Sequence, residues 1–229
     1  MFFQTSGANL YYEKYGAGKP LILLHGNGES HDIFNKAIPL LAEYFTVYAV
    51  DSRGHGKSSA IDELHYADMA QDIHEFICGL KIDPPTVYGF SDGGIIALLL
   101  AIHYPNSLSG IIASGVNARP NGIRCAWLTL FKLYYLFTKS PLFKLMLSEP
   151  NITADMLSKI KIPVSIIGGS RDMIKTSHMK WIAENVQKGQ FTLLKGETHS
   201  SYVINTEKLA EIIMEHLQKP SPSVRLPIP

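Results

Sequence analysis

Short apolar runs alternate with apolar stripes along the 229-residue chain, and this alternation predicts an α/β architecture. Pro20-Leu21-Ile22-Leu23-Leu24, Phe45-Thr46-Val47-Tyr48-Ala49-Val50, Thr86-Val87-Tyr88, residues 108–113, Pro163-Val164-Ser165-Ile166-Ile167 and Phe191-Thr192-Leu193-Leu194 have little polar interruption, as expected of strands covered on both faces. Between them the period changes. Over 66–80 the apolar positions Tyr66, Met69, Ile73, Phe76, Ile77 and Leu80 recur at three- and four-residue steps, and Leu209, Ile212, Ile213, Met214 and Leu217 form a similar stripe over 206–217. Further helices are expected over 33–43, from Gly93 to about 104, and over 178–186. Ser6-Gly7-Ala8-Asn9, set between Phe2-Phe3 and Leu10-Tyr11-Tyr12, predicts an opening β-hairpin. Strands alternating with helices give a mostly parallel, twisted sheet with helices on both faces.

The alternation breaks once. No strand is evident between 117 and 161; 124–137 and 140–147 read as short helices, the second opening with Ser140-Pro141 in N-cap and first-turn positions. So long a strand-free connection is expected to be a helical cap, 117–161, inserted between the two parts of one core domain, 1–116 and 162–218. Asn151-Ile152-Thr153 reads as a helix start. The tail 219–229, with four prolines, is expected to be disordered.

Composition narrows the field. Hydrophobic residues at 46% and charged residues at 18% describe a globular chain with an ample core, and a net charge of +1 makes no electrostatic case for nucleic acid or acidic lipid. The amino terminus lacks a basic region followed by an apolar one, and no run approaches the ~18 apolar residues of a membrane span, so a cytoplasmic location is expected. Cys78 and Cys125 have no metal-binding spacing and lie in apolar helical segments, where buried reduced thiols are expected.

The candidate chemistry centres on Gly89-Phe90-Ser91-Asp92-Gly93, placed where a strand should turn sharply into a helix. Ser91 occupies the apex, and residues two places to either side must be small, which suits Gly89 and Gly93. The turn lifts the hydroxyl clear of the sheet. It also aims the positive end of the following helix, with the free N–H of Asp92, at negative charge forming on a substrate carbonyl.

Five segments then fall in a telling order: His25-Gly26 after one strand, Asp51-Ser52-Arg53-Gly54-His55-Gly56-Lys57-Ser58 after the next, the Ser91 turn, Asp172 after a later strand and His199 after the last. In these segments the chain resembles the α/β-hydrolase superfamily over nearly its whole length. The resemblance implies a catalytic triad of Ser91, Asp172 and His199, with an oxyanion hole from the backbone N–H groups of Asn27 and Asp92. Elementary chemistry agrees: a hydroxyl is a poor nucleophile at neutral pH and needs a neutral imidazole to take its proton and a carboxylate to hold that imidazole in the right tautomer. The resemblance also makes His25 and His55 structural, while Asp51 and Arg53 read as turn scaffolding.

Serine at position 91 excludes the haloalkane dehalogenase and epoxide hydrolase chemistries of that superfamily, which need an aspartate there. Acyl transfer to water remains, on a small carboxylic ester or related acyl compound, with Trp127, Phe131, Tyr134 and Tyr135 of the cap expected to contact it. Ser91-Asp92-Gly93-Gly94 further resembles the elbow of biphenyl-hydrolase-like enzymes that cleave amino-acid esters. That likeness implies an ammonium-binding role for Asp92, whereas a bare reading makes it a complement to the helix dipole. A carbon–carbon bond hydrolase or lyase on the same triad, or a non-catalytic small-ligand receptor, would carry the same residues. No metal or organic cofactor is implied, and oligomeric state leaves no mark on the sequence.

Overall fold

The apolar runs become strands in the computed structural model, which describes residues 1–218; the tail expected to be disordered lies outside the described residues. The strands are β1 (Phe2–Gln4), β2 (Asn9–Tyr15), β3 (Lys19–Leu24), β4 (Phe45–Val50), β5 (Thr86–Phe90), β6 (Gly110–Ser114), β7 (Val164–Gly169) and β8 (Gly189–Leu194). They form one sheet in the order β1-β2-β4-β3-β5-β6-β7-β8. From β3 to β8 the neighbours run parallel, Leu21 lying opposite both Val47 and Thr86, while the β1–β2 hairpin closes one edge antiparallel to β4.

The helices are α1 (Ile38–Leu41), α2 (Tyr66–Gly79), α3 (Asp92–His103), α4 (Cys125–Thr138), α5 (Pro141–Ser148), α6 (Ala154–Ser158), α7 (Thr176–Glu184) and α8 (Lys208–Gln218). Because side chains alternate along a strand, β3 serves two cores at once. Ile22 and Leu24 pack with Val87, Ile111 and Ala113 under Met69, Ile73 and Phe76 of α2, Ile95 of α3 and Ile182 of α7. Leu21 and Leu23 face the other way, with Val47, Ala49, Tyr88 and Ile112 under Ile38 of α1 and Leu209 and Ile213 of α8. The continuous apolar character of β3 to β7 follows directly from this double coverage.

Three local readings are revised. The helix expected over 33–43 splits into a 3₁₀ turn, His31–Phe34, and the four-residue α1. Pro39 sits in the first turn of α1 and has no N–H with which to continue a helix from upstream. Second, Thr153 caps α6, its hydroxyl accepting from the Met156 N–H at 3.3 Å, but Ile152, Leu157 and Ile160 are buried in the core beside α3, so 152–160 belongs to the core layer rather than standing above it. Third, both cysteines are exposed. Cys78 lies across α2 from its apolar stripe and Cys125 opens α4 on the side away from the core.

Candidate active site

Topology places the site. From β3 the chain moves outward to β4 and then returns to the opposite side of β3 as β5, so the carboxyl ends of β3 and β5 border the crevice where strand order reverses. His25, Gly26 and Asn27 leave β3 there; Ser91 leaves β5; Asp172 and His199 follow β7 and β8 at the same edge.

Ser91 has φ 50° and ψ −110°, a strained conformation for a residue with a side chain, fixed by the strand-to-helix turn. Its N–H donates to the Ser114 carbonyl at 2.8 Å, and the Gly94 and Ile95 N–H groups return to its own carbonyl. The flanking glycines are required: a Cβ on Gly89 would lie 2.2 Å from the Gly93 oxygen, and one on Gly93 would lie 2.2 Å from the Leu24 oxygen. The Ser91 Oγ lies 3.2 Å from His199 Nε2, and His199 Nδ1 lies 2.7 Å from Asp172 Oδ1. Asp172 is only 1% exposed, and the same Oδ1 accepts the Ile174 N–H at 2.8 Å, which fixes the carboxylate plane; its Oδ2 is buried and without a hydrogen-bond partner. Gly115 (φ +61°) lets the His199 ring approach, since a Cβ there would stand 2.6 Å from His199 Cε1.

The β3 exit is held by His25. His25 Nδ1 donates to the Gly26 carbonyl at 2.8 Å and Nε2 accepts the Ser52 N–H at 3.0 Å, joining the β3 and β4 exits. Burial, with His55 alongside, pushes His25 down to about 4, so the ring is neutral and free to accept. Asp51 serves its own turn as expected, accepting the N–H groups of His31 and Lys57 at 2.7 and 2.8 Å. Arg53 makes a two-pronged pair with buried Asp72, Nε to Oδ2 at 2.5 Å and a terminal nitrogen to Oδ1 at 2.8 Å, and Thr5 donates to that same Oδ1.

Comparison with known proteins agrees with this fold. Residues 19–144, more than half of the chain, match the family model described as alpha/beta hydrolase fold. The chain belongs to the α/β-hydrolase family. It is 28% identical over 248 residues to the serine hydrolase BPHL of Homo sapiens, a match covering 92% of this chain and 84% of that protein. It is also 29% identical over 119 residues to the 2-hydroxy-6-oxo-6-(2'-aminophenyl)hexa-2,4-dienoic acid hydrolase of Metapseudomonas resinovorans, covering 50% of this chain but only 41% of that enzyme. Among solved structures, the enol-lactonase from Burkholderia xenovorans superposes with a TM-score of 0.79 at 16% identity, over 96% of this chain and all of the other (100%).

In this α/β hydrolase, the Asn27 side chain has a place that sequence reasoning missed. Its Nδ2 donates to Asp92 Oδ2 at 2.9 Å and to the Leu142 carbonyl of α5 at 3.3 Å. Asp92 is thereby engaged. Only 6% exposed, its carboxyl is pushed above the usual carboxylate range by burial, against the opposing pull of the Asn27 amide and the Tyr66 hydroxyl.

Above Ser91 and His199 lies a cavity of about 270 Å³, walled by Phe90, Phe131, Phe143, Met146, Met173 and Ile204, with Gly26, Asn27 and Glu29 at its rim. A hollow of about 20 Å³ continues from Ser91 past Asp92 toward Tyr66 and Glu149. A larger hollow, about 710 Å³, lies at the amino ends of the strands around Pro20, Phe45 and Thr86, remote from Ser91 and His199. Of the four cap aromatics expected to meet substrate, only Phe131 lines the 270 Å³ cavity. Helical period turns Trp127 (45% exposed) outward, Tyr134 (51% exposed) lies against the back of Phe143 at 4.6 Å between ring centres, and Tyr135 is partly buried without lining the cavity. Phe143, one turn into α5, takes the inner position instead and packs edge-on against Phe131 at 5.5 Å between ring centres. Glu29 was not foreseen either. Its Oε2 accepts the Gly26 N–H at 2.9 Å, and burial raises its pKa. No group of residues suited to hold a metal ion occurs among the described residues.

Proposed function

We propose that the chain is a serine hydrolase that cleaves a small carboxylic ester, or a related acyl compound such as a lactone, through an acyl-enzyme on Ser91. The observation that carries this reading is the unbroken relay from Ser91 Oγ through His199 to Asp172, opening on a largely apolar cavity of about 270 Å³. In the proposed sequence His199 Nε2 takes the Ser91 proton as Oγ attacks the carbonyl carbon. The oxyanion forms against the backbone N–H groups of Asn27 and Asp92, the latter among the unsatisfied donors at the start of α3. His199 then hands its proton to the departing alcohol, and in the second half it takes a proton from the water that attacks the acyl carbon and returns it to Ser91 Oγ as the carboxylic acid leaves. Asp172 holds Nδ1 protonated throughout and offsets the charge on the ring.

The cavity supports a short acyl chain or one ring between Phe131, Phe143 and Met146, since about 270 Å³ is at the small end for ligand sites. A fluorophosphonate probe tests the nucleophile: mass should appear on Ser91 and vanish in Ser91→Ala, and an unlabelled wild-type protein would refute the reading. Hydrolysis of p-nitrophenyl esters of graded acyl length then places the substrate. The likeness to the Metapseudomonas dienoic acid hydrolase favours a second reading, carbon–carbon bond cleavage on the same three residues. Turnover of a vinylogous 1,5-diketone exceeding that of every ester would select it. Comparing an α-amino ester with its deaminated analogue tests the ammonium role of Asp92, and equal kcat/KM for the two removes it.

A further inference from the structure

The helix α4 carries no buried residue. Half of the twelve large apolar side chains exposed among the described residues lie on it: Trp127, Leu130, Leu133, Tyr134, Leu136 and Phe137, the last 81% exposed. Helical period gathers these six on one outer arc, with Tyr134 at its edge and its ring 4.6 Å from that of Phe143, while Leu128, Phe131 and Tyr135 take the inner arc against the protein. A contiguous apolar surface of this kind is costly to leave in water and marks a contact surface rather than chance exposure.

Charge identifies the occupant. From 117 to 148 there are five Lys or Arg residues and no Asp or Glu, whereas outside that stretch sixteen basic residues face twenty acidic ones. The near-zero charge of the whole chain therefore conceals a cationic cap on an anionic core. Exposed Lys132 and Lys139 border the apolar arc without entering it. We propose that α4 is a peripheral docking surface for an anionic lipid bilayer, its outer arc seated at the boundary between headgroups and acyl chains and its bordering lysines against lipid phosphates. An apolar helical arc bordered along one edge by cations and free of acids has the composition of helices that lie in that plane. A second copy of this chain suits the face poorly, because contact through α4 would bring two acid-free, cationic segments together. Phe131 lies on the opposite arc and walls the cavity over Ser91, so docking would hold the cavity beside the bilayer surface. The proposal does not depend on the assignment of Ser91 as nucleophile.

Sedimentation of the full chain with vesicles of phosphatidylcholine alone, and of phosphatidylcholine doped with phosphatidylglycerol, tests the idea. Association is expected with the anionic vesicles, and it should weaken as salt is raised. Lys132→Gln with Lys139→Gln should lower the partition coefficient about fivefold per lysine. Leu136→Ser with Phe137→Ser should lower it by at least about tenfold, with p-nitrophenyl ester hydrolysis and thermal midpoint unchanged because neither side chain packs inside. Wild type gives a reading independent of any variant, a blue shift of tryptophan emission on adding anionic vesicles, as Trp127 leaves water. No association with anionic vesicles at low salt overturns the proposal. So does equal association with both vesicle types that ignores the lysine changes. A dimer in sedimentation velocity that Leu136→Ser with Phe137→Ser abolishes, without vesicle binding, would assign the face to a second copy and overturn it as well.

Discussion

Asp172→Asn separates two duties that the carboxylate could perform, charge and orientation, because in this protein one oxygen makes both of its hydrogen bonds. Oδ1 accepts from His199 Nδ1 at 2.7 Å and from the Ile174 N–H at 2.8 Å, while Oδ2 is buried without a partner. The Ile174 N–H can face only an acceptor, so the asparagine amide must keep its oxygen where Oδ1 stands and put its NH₂ in the place of Oδ2. The His199 tautomer and ring position are then preserved and the charge alone is lost. A carboxylate about 4 Å from a forming imidazolium contributes roughly 4 kcal/mol at an effective dielectric near 20, which corresponds to about 10³-fold in kcat/KM. Asp172→Ala loses orientation too and should fall further, to about 10⁴-fold below wild type. The new NH₂ has no acceptor, so Asp172→Asn should also cost about 1–3 kcal/mol in stability. Initial rates on p-nitrophenyl butyrate and urea unfolding measure both effects. An Asn variant within threefold of wild type, or one no better than Ala, would refute the single-oxygen argument.

Three other predictions rest on separate features. Ser91→Gly should abolish hydrolysis, by about 10⁶-fold, yet raise unfolding free energy by about 1 kcal/mol as the strain at φ 50° is relieved; a loss of stability above about 1 kcal/mol would count against strain at this turn. Asp72→Ala leaves the Arg53 guanidinium with only half-exposed Asp68, 3.3 Å from a terminal nitrogen, and should cost about 3 kcal/mol by urea titration, the low end for a broken buried pair. Arg53→Met with Asp72→Leu should recover most of that cost, and failure to do so would locate the effect in Thr5 instead. For pH, His25 sits near 4 in the folded chain against an ordinary 6.5, so folding favours its neutral form. Its contribution is intact above 6.5 and is lost as pH falls from there through 4, by on the order of 3 kcal/mol. His178, lowered to about 4 by burial with Arg119 and Lys175 nearby, acts in the same direction. Urea titrations from neutral to pH 4.5 should show the decline, and His25→Asn should flatten it.

The strands and the Ser91 turn were legible because burial on both faces leaves an unbroken apolar run, and because a positive-φ apex demands small residues at fixed offsets. Ser91, Asp172 and His199 follow such runs directly, and the fold brings them within hydrogen-bond reach. The cap was harder to read. An apolar helix sunk in a core and an apolar helix half in water have the same composition, so Trp127, Tyr134 and Tyr135 read as wall residues while Phe143 and Met146 supply the wall. Cys78 was misplaced for a related reason: an apolar segment is not an apolar face. Met173 and Ile204 lie in loops, where periodicity carries no information, and only their nearness to Asp172 and His199 hinted at them. Net charge hides one feature of the sequence, since a sum over the chain erases the contrast between cap and core.

The Asn27 amide bridges three parts of the molecule, reaching Asp92 at the head of α3 and the Leu142 carbonyl of α5 from the loop that leaves β3. A guest long enough to lever α5 outward would pull on that amide and disturb the backbone on which its own oxygen is to rest. Under the proposed esterase reading, acyl length would be policed by tension in one side chain as much as by room under the roof, and an oversized ester should bind yet turn over slowly.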